Sequence, residues 1–262
     1  MGAIYNKIGN GYDATRCADP EILRVMERLL SVHTGGIYVD VGCGTGNYTV
    51  ALSSAGGKWH AFDQSAFMIE QAKAKESAID WRICDVVSTP FQSATFDSAL
   101  CSLAIHHFPD IENAFKEVAR ILRPSGHFVI FTSTPEQMAN YWLNHYFPSM
   151  LSLSMAQMPS LSNIQDALNM AKLNVISVEP YSVSNELKDL FLYSGKHCPH
   201  MYLSESVRAG ISSFRNFCTD RELTVGLSML KRDIENGVIN SIIKQYENNA
   251  GDYCFIVAKK GE

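Results

Sequence analysis

Three glycines at alternate positions, Gly42, Gly44 and Gly46, follow a short strand-like run, with Asp40 just ahead of them. A turn of this kind lets the backbone approach a ligand closely, because glycine accepts positive φ and carries no Cβ. A second run, Trp59 to Phe62, ends on Asp63. An acid at the tip of a neighbouring parallel strand accepts hydrogen bonds from both ribose hydroxyls of a nucleotide-type cofactor. The dinucleotide fingerprint G-x-G-x-x-G needs its third glycine where this chain has Asn47, and the glycine falls one residue early. Farther on, a run from Phe96 to Ala104 leads into Ile105-His106-His107. A histidine there is placed to take a proton from a hydroxyl, amine or acid, with an ordinary pKa of about 6.5. The alternative is that one packs against the following helix and the other caps it.

The elements that must position these residues are legible from local signals. Asp19-Pro20 opens a helix with Asp19 as N-cap, and Ile22, Val25, Met26, Leu29 and Leu30 mark its apolar face. Strand one spans 37–41, and a helix over 48–52 stops at Gly56-Gly57. Strand two ends at Asp63, Ser65 caps a helix to about Lys75, and 81–85 reads as strand three. Strand four covers 96–104 and is apolar enough to be buried on both faces. Asp110 caps a helix that Pro124-Ser125-Gly126 closes, and 127–131 is strand five. Strands alternating with helices imply right-handed crossovers and a mostly parallel sheet covered on both faces.

After Thr134 the alternation breaks. Residues 135–162 are rich in aromatics and Met, a helix over 164–172 precedes a strand at 174–178, and 185–248 reads as helical throughout. Residues 253–258 form a last strand. The dense group Tyr141, Trp142, His145, Tyr146 and Phe147 is either a core cluster or a substrate lid over the carboxyl edge of the sheet, where open α/β folds bind ligands.

The bulk numbers exclude several classes. The 262-residue chain is 46% hydrophobic and only 19% charged, so it has ample material for a packed core. A formal charge of −5 without any Lys/Arg cluster argues against a nucleic-acid partner. No apolar run is long enough to span a bilayer, and no basic start with an apolar core opens the chain, so a soluble, cytoplasmic protein is expected. Seven scattered cysteines without Cys-x-x-Cys pairs suit reduced thiols, and no metal site is expected.

Asp40-x-Gly42-x-Gly44-x-Gly46 followed by Asp63 resembles the cofactor site of class I S-adenosylmethionine-dependent methyltransferases, of the small-molecule, type 11-like kind. The resemblance implies a Rossmann-like α/β fold: a seven-stranded, mostly parallel sheet flanked by helices, ending in an antiparallel strand pair. It divides the chain into a core of residues 1–180 plus 251–262, with 135–162 as a lid, and a helical insertion or cap at 181–250. The implied cofactor is S-adenosyl-L-methionine, released as S-adenosyl-L-homocysteine, and the implied partner is a small-molecule methyl acceptor.

Residue by residue, Asp40 matches the acid that meets the methionyl amine, while Gly42, Gly44, Gly46 and Asn47 form the loop beneath the methionine and ribose. Asp63 matches the ribose acid, with Gln64 at the adenine or ribose edge. Asp85 matches the acceptor of the adenine amine, framed by Val86. Ser102 and Leu103, with His106 and His107 as catalytic candidates, line cofactor and substrate. Tyr12-Asp13-x-x-Arg16 resembles an element in which the tyrosine folds over the cofactor and the arginine pairs with its carboxylate; an Asp13–Arg16 surface pair is the alternative. Tyr141, Trp142, His145 and Tyr146 are the substrate-side candidates. Two other functions stay open: a scaffolding or cofactor-binding protein without turnover, and, less favoured, an NAD-dependent oxidoreductase.

Overall fold

The computed structural model describes residue 13 and residues 15–262. Helix α1 (Pro20–Leu30) begins where Asp19 accepts hydrogen bonds from the amides of Glu21 and Ile22. There follow β1 (Ile37–Val41), α2 (Asn47–Ser53), β2 (Lys58–Asp63), α3 (Ala66–Lys75), β3 (Asp80–Ile83), β4 (Phe96–Ser102), α4 (Ile111–Ile121) and β5 (Leu122–Thr132). Ser65 and Asp110 cap α3 and α4 through the amides of Met68 and Asn113. These side chains satisfy amides that a helix start leaves without partners.

The sheet order is β3-β2-β1-β4-β5-β7-β6, where β6 is Leu173–Tyr181 and β7 is Tyr253–Lys260. Only β7 is reversed relative to the other six strands, pairing antiparallel with both β5 and β6. From β1 the chain winds first to one side through β2 and β3, then to the other through β4. That reversal opens a crevice at the carboxyl ends of β1 and β4, the switch point where such sheets hold ligands.

Alternation along the central strands feeds two apolar layers. Leu100, Val129 and Phe131 face α1 and α2, whereas Ala99, Cys101, Phe128 and Ile130 face α4 and α7 (Leu161–Met170). Period-two alternation of side chains is what allows both faces of one strand to be buried.

Several boundaries differ from expectation: β3 ends at Ile83 rather than residue 85, α4 ends at Ile121 with Pro124 and Gly126 inside β5 rather than closing the helix, and β6 extends to Tyr181 rather than 178. Strand four stops at Ser102 rather than residue 104 because Leu103 adopts φ +52°, a left-handed conformation that ends extended pairing. Residues 182–198 form turns instead of helix, and regular structure resumes only with the short helical turn Pro199–Leu203. After it come α8 (Glu205–Ala209), α9 (Ser212–Phe217), α10 (Asp220–Glu235) and α11 (Ile239–Gln245). Between β5 and α7 lie α5 (Pro135–Ala139), the turn Trp142–His145 and α6 (Pro148–Ala156). This region and the stretch between β6 and β7 together form a cap whose apolar side chains continue the α1-side core. All seven cysteines are free thiols, and no described helix is long and apolar enough to cross a membrane.

Candidate functional site

A cavity occupies the switch point, walled by the glycine loop, the ends of β2, β3 and β4, and the cap. Gly44, Asn47, Asp63, Gln64, Asp85, Val86, Ser102, Leu103, Arg16, Asp40 and Gly42 all line it. Gly46 does not, and its requirement is different: at φ +75° a Cβ would sit 2.3 Å from the Trp81 ring. At Gly44, φ +54°, a Cβ would meet nothing within 4 Å and would project into open space that a ligand can use. One glycine thus permits packing and the other permits close ligand approach.

Asp63 stands at the end of β2, one oxygen accepting the Gly44 amide at 3.0 Å and the other the Ser65 amide at 2.9 Å. Burial raises its pKa, and the amides of Ser65, Gly44 and Gln64 counter part of that shift. Each oxygen keeps a lone pair for a ribose hydroxyl. Asp40 is buried at 2% exposure; one oxygen accepts the Thr49 hydroxyl at 2.6 Å and the other has no partner. Burial, and secondarily the charge of Asp63, push its pKa up to about 7 against the Thr49 hydrogen bond. An unpartnered buried carboxylate oxygen suits a cation, and S-adenosylmethionine carries both an ammonium and a sulfonium. These residues therefore fit that cofactor. Asp85 lies exposed at the cavity edge, accepting the Val87 amide at 3.1 Å.

Leu103 brings strain to the site. A non-glycine residue at positive φ costs of order 1–2 kcal/mol, and such positions cluster at functional sites. Its amide bonds to the Phe131 carbonyl at 2.8 Å, which holds the turn that sends His106 and His107 into the cavity wall.

The two imidazoles lie 3.9 Å apart, centroid to centroid, and Nδ1 of His106 is buried without a partner. The ordinary pKa expected for them is corrected: burial lowers His107 to about 4, and burial plus its neighbour lowers His106 well below its usual value. Both are neutral at pH 7, because desolvation penalises the imidazolium. A base lowered this far is in its proton-accepting form at every pH above about 4. With methyl donor saturating, kcat/KM for the acceptor should therefore show no imidazole limb near 6.5, the His107 limb falling near 4. A limb at about 6.5 that vanishes in His107→Gln would contradict this.

Three other expectations change. Arg16 lines the cavity, but its guanidinium forms a bidentate pair with buried Asp189, with Nη2 at 3.1 Å. Asp13 pairs not with Arg16 but with Lys75 at 2.8 Å. Tyr12 lies outside the described residues. None of Tyr141, Trp142, His145 and Tyr146 lines the cavity: the first, second and fourth are buried in the cap core at 2–3% exposure, and His145 is exposed. Tyr141 hydrogen-bonds the Tyr202 hydroxyl, Trp142 the Lys196 carbonyl, and Tyr146 the Asp233 carboxylate. Amphipathic aromatics that find buried partners for their polar atoms serve packing, so a substrate-contacting role for this group is set aside.

The cap side of the cavity is instead walled by Met138, Phe191, Leu192, Tyr193, Met158 and Tyr253, with Ser154 and Arg215. These cap residues were not among the sequence candidates: Asp189 to Tyr193 lie in a turn-rich stretch with no periodicity that sets them apart. Among the described residues, no group of three or more His, Cys, Asp or Glu could hold a metal.

A methyltransferase-domain family model matches residues 39–130. A crystal structure from Anabaena variabilis, described as a methyltransferase of an antibiotic biosynthesis pathway, superposes with TM-score 0.83 at 31% identity, covering 93% of this chain and 98% of that one. Malonyl-[acyl-carrier protein] O-methyltransferase of Yersinia pestis is 26% identical over 136 residues, 52% of this chain and 51% of that protein. A tRNA (carboxymethyluridine(34)-5-O)-methyltransferase of Mus musculus is 29% identical over 137 residues, 51% of this chain and 20% of that protein. The chain thus spans about half or less of the length of these curated relatives.

Proposed function

Because the chain belongs to the class I S-adenosylmethionine-dependent methyltransferases, we propose that it methylates a small, largely apolar acceptor carrying one or two hydrogen-bonding groups. The observation that carries this reading is the cap side of the cavity. Met138, Phe191, Leu192 and Tyr193 offer an apolar surface, while His106 Nδ1 and Ser154 Oγ are buried polar atoms without partners. A buried polar atom left unpaired costs about 1–3 kcal/mol, so an acceptor that pairs with it gains affinity and orientation together.

When bound, the cofactor would supply an activated methyl on its sulfonium, taken up in line by the acceptor's nucleophilic atom as the sulfur–methyl bond breaks and S-adenosylhomocysteine leaves. Asp40, the glycine loop, Asp63 and Asp85 hold and orient that cofactor in this reading. The cap excludes water, and His106 or His107 orients the acceptor and takes its proton where it has one to lose. Since the leaving group is already good, alignment supplies much of the rate. An acceptor bound through phosphates is disfavoured by the cavity's charge. Arg16 and Arg215 are its cations among the described residues, Arg16 pairs with Asp189, and three further aspartates line the wall.

The test is a screen for S-adenosylhomocysteine release with neutral hydroxyl-, amine- and enol-bearing apolar molecules, alongside cationic amines and tRNA. Turnover is expected with members of the apolar class. Methylation of tRNA, with none of the small molecules turned over, would overturn the reading.

A further inference from the structure

We propose that Lys75, Asp13 and Asn47 form a clasp that holds the glycine loop in its ligand-ready shape and ties it, through Arg16, to the cap. This positioning role rests on reading the cavity as the S-adenosylmethionine site. Lys75 is the last residue of α3, and its ammonium donates to three acceptors from two separate segments. It meets Asp13 Oδ2 at 2.8 Å, the Thr45 carbonyl at 2.9 Å and Asn47 Oδ1 at 2.6 Å. An ammonium has three N–H groups, so its donor set is fully used.

The second oxygen of Asp13 accepts the Thr45 hydroxyl at 2.7 Å and the Asn47 amide nitrogen at 3.1 Å, and that same nitrogen donates to the Arg16 carbonyl at 3.1 Å. Residues 45 and 47 flank Gly46, so the clasp grips the loop on both sides of the glycine that packs against Trp81. Thr45, at 2% exposure, lies between two residues at positive φ. Glycines adopt that conformation without strain but are equally free to leave it, so the shape of the loop depends on what its neighbours hold in place. Asn47 occupies the place of the third dinucleotide glycine, and a glycine would remove three of these hydrogen bonds.

From the loop the segment continues to the cap. Arg16 pairs with Asp189, the Tyr48 hydroxyl of α2 donates to the same carboxylate at 3.2 Å, and the Leu190 amide donates to the Thr15 carbonyl at 2.9 Å. The Lys188 amide closes onto Asp19 at 2.9 Å. Arg16, Thr45, Asn47 and Asp189 all line the cavity. Asp13 and residues 15–19 therefore join the surface that carries the methyl donor to the segment Asp189–Tyr193 that faces the acceptor. An isolated exposed ion pair contributes little. Here one ammonium and one carboxylate share five hydrogen bonds and ion-pair contacts across three segments, and loosening either end frees the loop.

The experiment is calorimetric titration of S-adenosylhomocysteine into the full chain as wild type, Lys75→Met, Asp13→Asn and the double variant, with thermal midpoints and amide exchange at Leu190. Each single variant should weaken binding by about tenfold, and the double variant by no more than either, as residues acting as one unit do. Leu190 exchange should slow on ligand binding in the wild type and much less in the variants. Should Lys75→Met fail to fold, the nearly isosteric Asp13→Asn decides alone. Unchanged affinity in the single variants, or independent additive losses, would overturn the clasp while leaving the cofactor reading intact. A wild type that binds no S-adenosylhomocysteine would overturn both.

Discussion

Substituting alanine for Asp63 should weaken binding of S-adenosylmethionine and S-adenosylhomocysteine by about a hundredfold or more. Hydrogen bonds to an ionised acceptor contribute about 1.5–3 kcal/mol each, and the proposed ribose contact uses two of them, so about 3–6 kcal/mol is at stake. A second loss comes from the protein itself. The Gly44 amide would lose its carboxylate acceptor, and a loop residue at φ +54° would lose a restraint. Calorimetric titration checks the result, with circular dichroism to verify that β2 and α3 remain folded. Wild-type affinity in Asp63→Ala would mean that the ribose lies elsewhere. Asp63→Asn separates shape from charge, since it retains acceptor geometry in one oxygen only and should fall between the two.

Asp40→Asn should move stability and binding in opposite directions. The folded protein holds the Asp40 proton up to about pH 7, whereas the unfolded chain releases it near the ordinary aspartate value of 3.8. The folded state thus binds the proton more tightly. Its contribution to stability is full below the unfolded pKa and declines as pH rises toward 7, by about 4 kcal/mol in all for a shift of this size. At pH 8 the variant, free of that buried charge, should resist urea better by up to about this amount, and at pH 5 by clearly less. Cofactor binding should show the reverse. The ionised carboxylate is the form that attracts the cofactor's ammonium, so wild-type affinity should fall about tenfold per pH unit below 7, and the variant should bind weakly and without that slope. Equal stabilities of wild type and variant at pH 8 would show that Asp40 is not a desolvated charge. Many functional sites trade stability for chemistry in this way.

Much of the core was legible because its signals are local. Asp19, Ser65 and Asp110 stand before apolar-periodic segments where a helix cap is expected, and each accepts the amide hydrogen bond that defines a cap. The strands announced themselves by alternation, and parallel winding then brings their carboxyl ends together whatever the loops contain. For that reason Asp40, Gly42, Gly44, Asp63 and Asp85, scattered over more than forty positions, converge on one cavity. Strand ends were less certain, since Leu103 turns into the left-handed region on account of its surroundings rather than its own preference.

The cap resisted reading for a physical reason. Aromatic content says that Tyr141, Trp142 and Tyr146 want burial, but a core and a binding pocket satisfy that want equally. Only the partners waiting in space, Tyr202, the Lys196 carbonyl and Asp233, decide between them. The cap side of the cavity is walled in part by Phe191, Leu192 and Tyr193, in a turn-rich stretch with no periodicity strong enough to mark it as regular structure. Lys75 reads in sequence as an ordinary solvated charge at a helix end, and becomes a clasp only because α3 ends beside the glycine loop.

The amino-acid sequence by itself marked most strands and helices, a mostly parallel winding, the glycine loop and the acids at the strand tips, because these follow from local patterning and crossover chirality. The order of the strands rests instead on pairings such as Tyr38 with Ser98 across distant segments. The tertiary structure alone decided the protonation of His106, His107 and Asp40, the pairing of Arg16 with Asp189, and which cap residues wall the cavity. Desolvation and long-range partnership depend on what surrounds a side chain in space, which no window of the chain contains.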